Sequence, residues 1–219
     1  MSAPQAVPPT VHRLLERLGE AGIFRDFYLA GGTGLALLLS HRRSVDLDLF
    51  SRGNRLKAEE RRALIARLKP VSRWTLVEEK EGTLHGRLGG VKVSFFRYPQ
   101  PLVRPLARRG AVRIASLEDI GLMKIGAIVG RGSKKDFVDL YEICRRIPLD
   151  ELLRLGARKF PDSRDFTLQA LKGLSFFREA EEEPPVISVK PASWEKVREF
   201  FSRQVSLLGR RTLRTRRQD

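Results

Sequence analysis

Apolar Val11, Leu14, Leu15 and Leu18 recur at helical spacing and Gly22 ends the run, which predicts a helix over about 11–21. The short apolar stretch Phe27-Tyr28-Leu29-Ala30 runs into Gly31-Gly32 and is followed by the helical run Leu35 to Leu39, giving a strand, a tight turn and a helix in succession. From Val45 to Phe50, apolar Val45, Leu47 and Leu49 alternate with Asp46 and Asp48. A strand has a side-chain period of two, so both acids fall on one face. A helix at about 56–68 follows. Around Gly82, Gly86 and Gly89-Gly90, three strand-like runs at roughly 73–79, 83–88 and 91–97 read as an antiparallel meander.

Beyond Pro99, Pro101 and Pro105 the pattern changes, and from Ser116 onward it is helical throughout. Ser116-Leu117-Glu118-Asp119 fits a capping box opening a helix to about Gly130, and Lys134 to Ile147 makes a second helix ended before Pro148. Further helices are predicted at about 150–159, 164–181 and 193–208, with the acidic run Glu179 to Glu183 and Pro184-Pro185 as a solvated loop. In the last helix Trp194, Val197, Phe201, Val205 and Leu208 share one face, which should dock on the other helices; an arginine-rich tail follows. No internal repeat is present. The fold class predicted is α+β: a mixed-sheet lobe over 1–113 and a helical lobe over 114–219, with a boundary near 100–115.

The charge adds a statement about partners. With 42 Lys and Arg against 26 Asp and Glu the chain carries +16, which favours polyanions such as RNA, DNA or nucleotides. A generally basic surface is the alternative. Cys144 is the single cysteine and reads as a packing residue in a reducing compartment. Neither an apolar run long enough to span a bilayer nor a leader pattern is found, so a cytoplasmic protein without a membrane partner is expected.

The chemistry-bearing residues begin with Gly31-Gly32-Thr33. Two glycines at a strand-to-helix turn let the backbone approach a ligand, and the helix N-terminus behind them offers N–H groups and a positive dipole end to a phosphate. A plain tight turn with Thr33 as helix cap is the competing reading. Leu37 stands where a dinucleotide fingerprint has its third glycine, and no Gly-Lys-Ser/Thr follows to make a P-loop. Asp46 and Asp48 place two carboxylates within reach of one hard cation, and Mg²⁺ is satisfied by such a pair together with phosphate oxygens and water. The basic run His41-Arg42-Arg43-Ser44 directly precedes them and is a candidate for holding β- and γ-phosphates. Between Asp119 and Arg131 the only charge is Lys124, in a helix apolar nearly all round. A buried ammonium needs an anionic partner, so Lys124 points into a ligand site or an ion pair. Asp136 and Asp139 open the next helix, where acids often do no more than complement the dipole.

Taken together, Gly31-Gly32-Thr33, His41-Arg42 and Ser44, Asp46 and Asp48 with Leu49-Phe50, then Lys124, Arg131 and Lys135-Asp136 with Asp139-Leu140-Tyr141, resemble the AbiEii/AbiGii toxin-type nucleotidyltransferases of the DNA polymerase β-like superfamily. The resemblance covers roughly residues 25–145. It implies a nucleotidyltransferase lobe followed by a helical lobe, with NTP and Mg²⁺ between them. Gly32 and Thr33 would hold the triphosphate, Asp46 and Asp48 the metal, and Lys124 with Arg131 would meet phosphate or base. Asp136 would be a further acid near the reaction. Ser94 stands where such enzymes usually carry a third metal carboxylate. The expected activity is Mg²⁺-dependent transfer of NMP from an NTP to an acceptor, foremost the 3′ end of a tRNA, as the toxin of a toxin–antitoxin or phage-defence pair with a cognate antitoxin. A protein or small-molecule acceptor, or a catalytically silent nucleotide- or RNA-binding protein, are the alternatives. A cationic aminoglycoside is disfavoured as acceptor by the net charge.

Overall fold

A computed structural model describes residues 6–186 and 192–215. The chain divides into two compact units, Met1–Ser116 and Leu117–Asp219. The first contains α1 (Pro9–Glu20), a short 3-10 turn, β1 (Tyr28–Leu29), α2 (Gly31–Leu39), β2 (Leu47–Ser51), α3 (Ala58–Leu68), β3 (Trp74–Lys80), β4 (Thr83–Leu88), β5 (Val91–Arg97), β6 (Ala107–Arg109) and β7 (Val112–Ile114). The seven strands form one mixed sheet in the order β3-β4-β5-β2-β1-β7-β6. The meander β3-β4-β5 is antiparallel, β2 runs parallel to β5 and antiparallel to β1, and β1 runs parallel to β7.

One face of this sheet carries the core. Leu47 and Leu49 of β2, Val93 and Phe95 of β5, Leu84 and Leu88 of β4 and Ile114 of β7 pack with Leu14, Leu15 and Leu18 of α1 and Leu64 and Leu68 of α3. The opposite face of β2 bears Asp48 and Phe50, both half-buried, as the period of two requires. Three elements differ from those expected. First, β2 begins at Leu47, leaving Asp46 just ahead of it, because the Thr33 hydroxyl binds the Asp46 carbonyl and takes it out of the ladder. Second, α2 starts at Gly31 itself instead of several residues later. Third, the hairpin β6–β7 lies in the stretch expected to be a lobe boundary; its arginines hide the alternation, and Gly110 at φ +57° makes its turn.

The second unit comprises α4 (Leu117–Arg131), α5 (Lys134–Cys144), α6 (Leu149–Lys159), α7 (Phe166–Leu174), α8 (Arg178–Glu182) and α9 (Trp194–Thr215). Helix α4 packs against α5, α6 and α7, which is why its sequence is apolar nearly all round. At the α6–α7 crossing, a Cβ on Gly156 would lie 2.1 Å from the Phe166 ring, so only glycine permits that approach. Phe137 gathers Phe177, Trp194 and Phe201 at ring-centroid distances of 5.2, 5.8 and 5.6 Å, docking the apolar face of α9 on α5. The helix expected over 164–181 is instead broken after Leu174, and the turn brings Phe177 onto Phe137. The acidic run expected to be solvated has structure too. Residues through Glu182 form α8, and the Glu183 carboxylate accepts from Ser133 Oγ at 3.0 Å and Lys134 N at 2.9 Å, satisfying the N-terminus of α5. Helix α9 continues to Thr215, so Arg210, Arg211 and Arg214 lie on its last turns; Arg216 and Arg217 lie outside the described residues. Burial pushes the Cys144 thiol, which forms no disulfide, up to about 12.

Lys159 and Asp119, both 0% exposed, join α6 to α4 by an Nζ–Oδ1 contact of 2.7 Å. Lys159→Met strands a buried carboxylate and is expected to cost about 3–5 kcal/mol, whereas the double variant Asp119→Leu/Lys159→Met should recover most of that loss. Urea unfolding of the two variants beside the wild type measures both values. A single variant with wild-type stability would contradict this account.

Candidate functional site

The strand-to-helix turn of the first unit is shaped by what lies over it. Gly31 sits at φ +61°, and a Cβ there would fall 2.5 Å from Asp48 Oδ2, so backbone and space both demand glycine. A Cβ on Gly32 would fall 2.4 Å from Arg42 Nη2 and 3.0 Å from Ser44 Oγ. The Asp48 carboxylate thus lies against the first residue of α2, where the helix N-terminus presents N–H groups without helical acceptors and the positive end of its dipole. The backbone N–H of Ala30 donates to the Asp48 carbonyl at 3.1 Å, which locks the turn to β2.

Thr33 is buried, and its hydroxyl donates to the Asp46 carbonyl while lying 2.8 Å from Ser44 Oγ. Its contribution is therefore to hold the entry to β2, with Ser44 as the other anchor; the Ser44 N–H is bound to the Ala6 carbonyl at 2.8 Å. Within the basic run, His41 and Arg42 are buried, Ser44 is half-buried and Arg43 is exposed. Arg42 lies over Gly32 and donates to the Arg43 carbonyl at 3.1 Å. Gly31, Gly32, Thr33, Arg42, Ser44, Asp46 and Asp48 are thus brought together in one unit, with the exposed Asp46 and half-buried Asp48 as its acids.

Across the sheet the same face continues from Asp48 to Ser94, its register partner on β5, and from Ser94 to His85, its partner on β4. His85 Nδ1 lies 2.9 Å from Ser94 Oγ. Two residues along the strands an aromatic row follows: Tyr28, Phe50 and Phe96 stack at 6.0 and 5.0 Å, and His85 meets Phe96 edge-on at 5.3 Å. His85 had no sequence signal of its own; only the pairing of β4 with β5 sets it beside Ser94. Among the described residues no group of three or more His, Cys, Asp or Glu side chains is placed to hold a metal. The acids available are Asp48 beside the helix N-terminus and the exposed Asp46 two residues before it, a set that could hold a hard divalent cation taking its remaining ligands from phosphate and water.

In the second unit Lys124 is buried and pairs with two acids, Nζ lying 2.7 Å from Asp136 Oδ1 and 2.6 Å from Asp139 Oδ2. Arg131, 68% exposed, donates from Nε and Nη2 to Asp136 Oδ2, each at 3.0 Å. Both oxygens of Asp136 are therefore engaged by cations. Burial alone would pull the Lys124 ammonium down, but the charges of Asp139 and Asp136 and their hydrogen bonds outweigh it and hold the group above its ordinary value.

A raised folded-state value means that Lys124 contributes its stabilisation fully below the ordinary lysine range and loses it as the pH rises through the raised value. The difference in unfolding free energy between wild type and Lys124→Met is expected to be flat from neutral pH to about pH 10 and to shrink above it. Urea titrations of both proteins from pH 7 to 11 measure that difference, and a difference that instead grows with alkalinity would contradict the assignment.

The chain matches the AbiEii family, described as nucleotidyl transferase AbiEii toxin of a type IV TA system, over residues 13–214. It is 37% identical over 195 residues to an uncharacterized protein of Aquifex aeolicus (strain VF5), covering 87% of this chain and 92% of that protein. In fold it is similar to MenT4, a nucleotidyltransferase toxin of Mycobacterium tuberculosis H37Rv, with a TM-score of 0.59 and 16% identity over 86% of this chain and 79% of that one. It also resembles the antibiotic-resistance factor ANT(2'')-Ia, crystallised with adenylyl-2''-tobramycin, with a TM-score of 0.52 and 17% identity over 70% of this chain and 96% of that one. The seven-stranded mixed sheet is similar to nucleotidyltransferase folds, and the match over residues 13–214 shows that the chain belongs to the AbiEii nucleotidyltransferase toxin family.

Proposed function

We propose that this nucleotidyltransferase transfers NMP from an NTP to RNA, specifically to the 3′ end of a tRNA, in a Mg²⁺-dependent reaction, and that it acts in the cytoplasm as the toxin of a toxin–antitoxin or phage-defence pair. The observation that carries the reading is the Asp48 carboxylate lying against Gly31 at the N-terminus of α2, with Asp46 two residues before it. Such a place favours a cation and a polyphosphate together: the helix end and Arg43 draw phosphate oxygens, and the two carboxylates draw the cation. Asp46 and Asp48 would hold Mg²⁺, which when bound neutralises developing phosphate charge. Gly31 and Gly32 leave room for the Asp48 carboxylate and the Arg42 guanidinium beside the helix N-terminus that would meet the triphosphate, while Thr33 and Ser44 keep the backbone in position. His41, the remaining member of the basic run, is buried beside Arg42 and serves the same loop.

Transfer forms a bond from the acceptor hydroxyl oxygen to the α-phosphorus and breaks the bond to the β-phosphate, with pyrophosphate leaving with the electron pair. In this proposal the lobe over 1–113 holds the nucleotide, and Lys124, Arg131 and Asp136 form a charged cluster within the helical lobe over 114–219. Asp136, engaged by Lys124 and Arg131, holds those two cations in place. Ser94 occupies the sheet position next to Asp48, with His85 beyond it, so a single Mg²⁺ shared with the triphosphate fits better than a carboxylate-bridged pair. An RNA acceptor is favoured over a cationic aminoglycoside by the net charge of +16. A cognate antitoxin is the expected protein partner.

Asp46→Asn and Asp48→Asn are each expected to lower transfer by about a thousandfold or more, about 4 kcal/mol, without loss of fold. Ser94→Ala should stay within about tenfold of wild type, since it gives up one hydrogen bond of about 1 kcal/mol. The assay incubates each labelled NTP with Mg²⁺ and either total RNA or total protein and follows which pool becomes labelled. Transfer retained by both aspartate variants rejects the metal role, and label in protein alone rejects the RNA acceptor.

A further inference from the structure

A second cleft opens at the other end of the same sheet. Strand β1 runs from Tyr28 toward Gly31 and β2 runs the opposite way, so Ser51 and Arg52 lie at the far end of β2 from the glycine turn. There a cleft of about 560 Å³ is lined by Arg25, Asp26, Ser51, Arg52, Glu60 and Arg113 among others. Its two acids are already engaged: Asp26 Oδ2 is held by Arg67 at 2.6 Å, and the Glu60 carboxylate accepts the N–H of Lys57 at 2.8 Å at the start of α3. Arg113 Nη1 reaches the carbonyls of Phe24 and Arg25 at 3.2 and 3.3 Å. Arg108 is the direct cross-strand partner of Arg113 in the β6–β7 hairpin, so the two side chains leave the same face side by side. Like charges opposite one another in a ladder are destabilising. Among the described residues, none of Arg25, Arg52, Arg108 and Arg113 has a carboxylate within ion-pairing distance.

Three guanidinium groups lining one cleft, with Arg108 beside Arg113 on the neighbouring strand, one acid paired to Arg67 and the other hydrogen-bonded at the start of α3, form a site for oxygen anions at several points. We propose that this arginine cleft is a docking site for the phosphodiester backbone of the RNA acceptor, distinct from the nucleotide site at Gly31, Asp46 and Asp48. This rests on the RNA reading given under Proposed function. Arginine suits the task because its planar fork meets two phosphate oxygens at once. Backbone contacts of this kind position the acceptor and carry no sequence information.

The test uses the full-length protein with Arg25→Gln/Arg52→Gln/Arg108→Gln, three exposed positions whose side chains make no internal hydrogen bond among the described residues. Arg113 is left in place because it binds two carbonyls. A labelled RNA hairpin with a single-stranded 3′ end is titrated by fluorescence anisotropy from 50 to 200 mM salt. The triple variant is expected to bind about 10- to 100-fold more weakly at the low-salt end and to lose about 2–3 units of the slope of log K against log salt. Its ATP affinity and its transfer rate at saturating RNA should stay at wild-type values, with the loss appearing in KM for RNA. A charge-matched control, Arg158→Gln/Arg164→Gln/Arg178→Gln, should change the slope by less than about one unit. A wild-type slope in the triple variant, or an equal loss in the control, overturns the cleft assignment while leaving the RNA reading intact. Loss of ATP affinity in the triple variant also overturns it, by making the cleft part of the nucleotide site. Wild-type protein that labels protein and neither binds nor labels RNA overturns the RNA reading, and with it this one.

Discussion

Space at the end of β1 governs the first unit. A side chain on Gly31 would occupy the place of the Asp48 carboxylate, and one on Gly32 would occupy that of the Arg42 guanidinium. The turn can therefore be tight only because both residues lack a Cβ, and Asp48 can reach the helix N-terminus only because the turn is tight. From that contact follow the link between Ala30 and the Asp48 carbonyl, the alignment of β2 on β1, and the placement of Ser94 and His85 on the same face. Thr33 and Ser44 close the arrangement from the other side by holding the backbone at Asp46.

The helical unit solves a different problem. Its central helix is buried, yet it carries Asp119 and Lys124, and each needs a partner of opposite charge. Lys159 answers the first across α6, while Asp136 and Asp139 answer the second across α5. These pairs set how the helices meet, since removing one member leaves a charge in an apolar interior. Arg131 joins the second cluster from its exposed position, so one carboxylate is shared between a buried and a solvent-facing cation.

Charge is unevenly used over the molecule. Asp119, Lys124, Asp136, Asp139 and Lys159 are matched inside the helical unit, whereas the surplus that makes the chain +16 remains unmatched, as at the β6–β7 hairpin where Arg108 faces Arg113. Sequence composition registers only the total. Which arginines share a face depends on strand register, and the hairpin that sets this register was concealed by the arginines themselves.

The elements with strong periodicity were legible from the sequence: α1, β2, the meander and α4 follow from the spacing of apolar residues, because burial imposes that spacing locally. The glycine turn was legible for the same reason, its neighbours lying within a few residues along one strand and one turn, whereas Asp46, expected on the strand face of Asp48, lies just ahead of β2. For Lys124 the apolar helix around it established burial and the need for an anion, but left open whether a ligand or an ion pair supplies it. The structure answers with Asp136 and Asp139, an answer that depends on how α4 packs on α5. His85 beside Ser94, Lys159 on Asp119, Glu183 capping α5 and the break that lets Phe177 reach Phe137 were decided by tertiary structure alone. Each joins residues from different elements, and a periodic pattern records which side of an element is buried without recording which residue of another element will meet it.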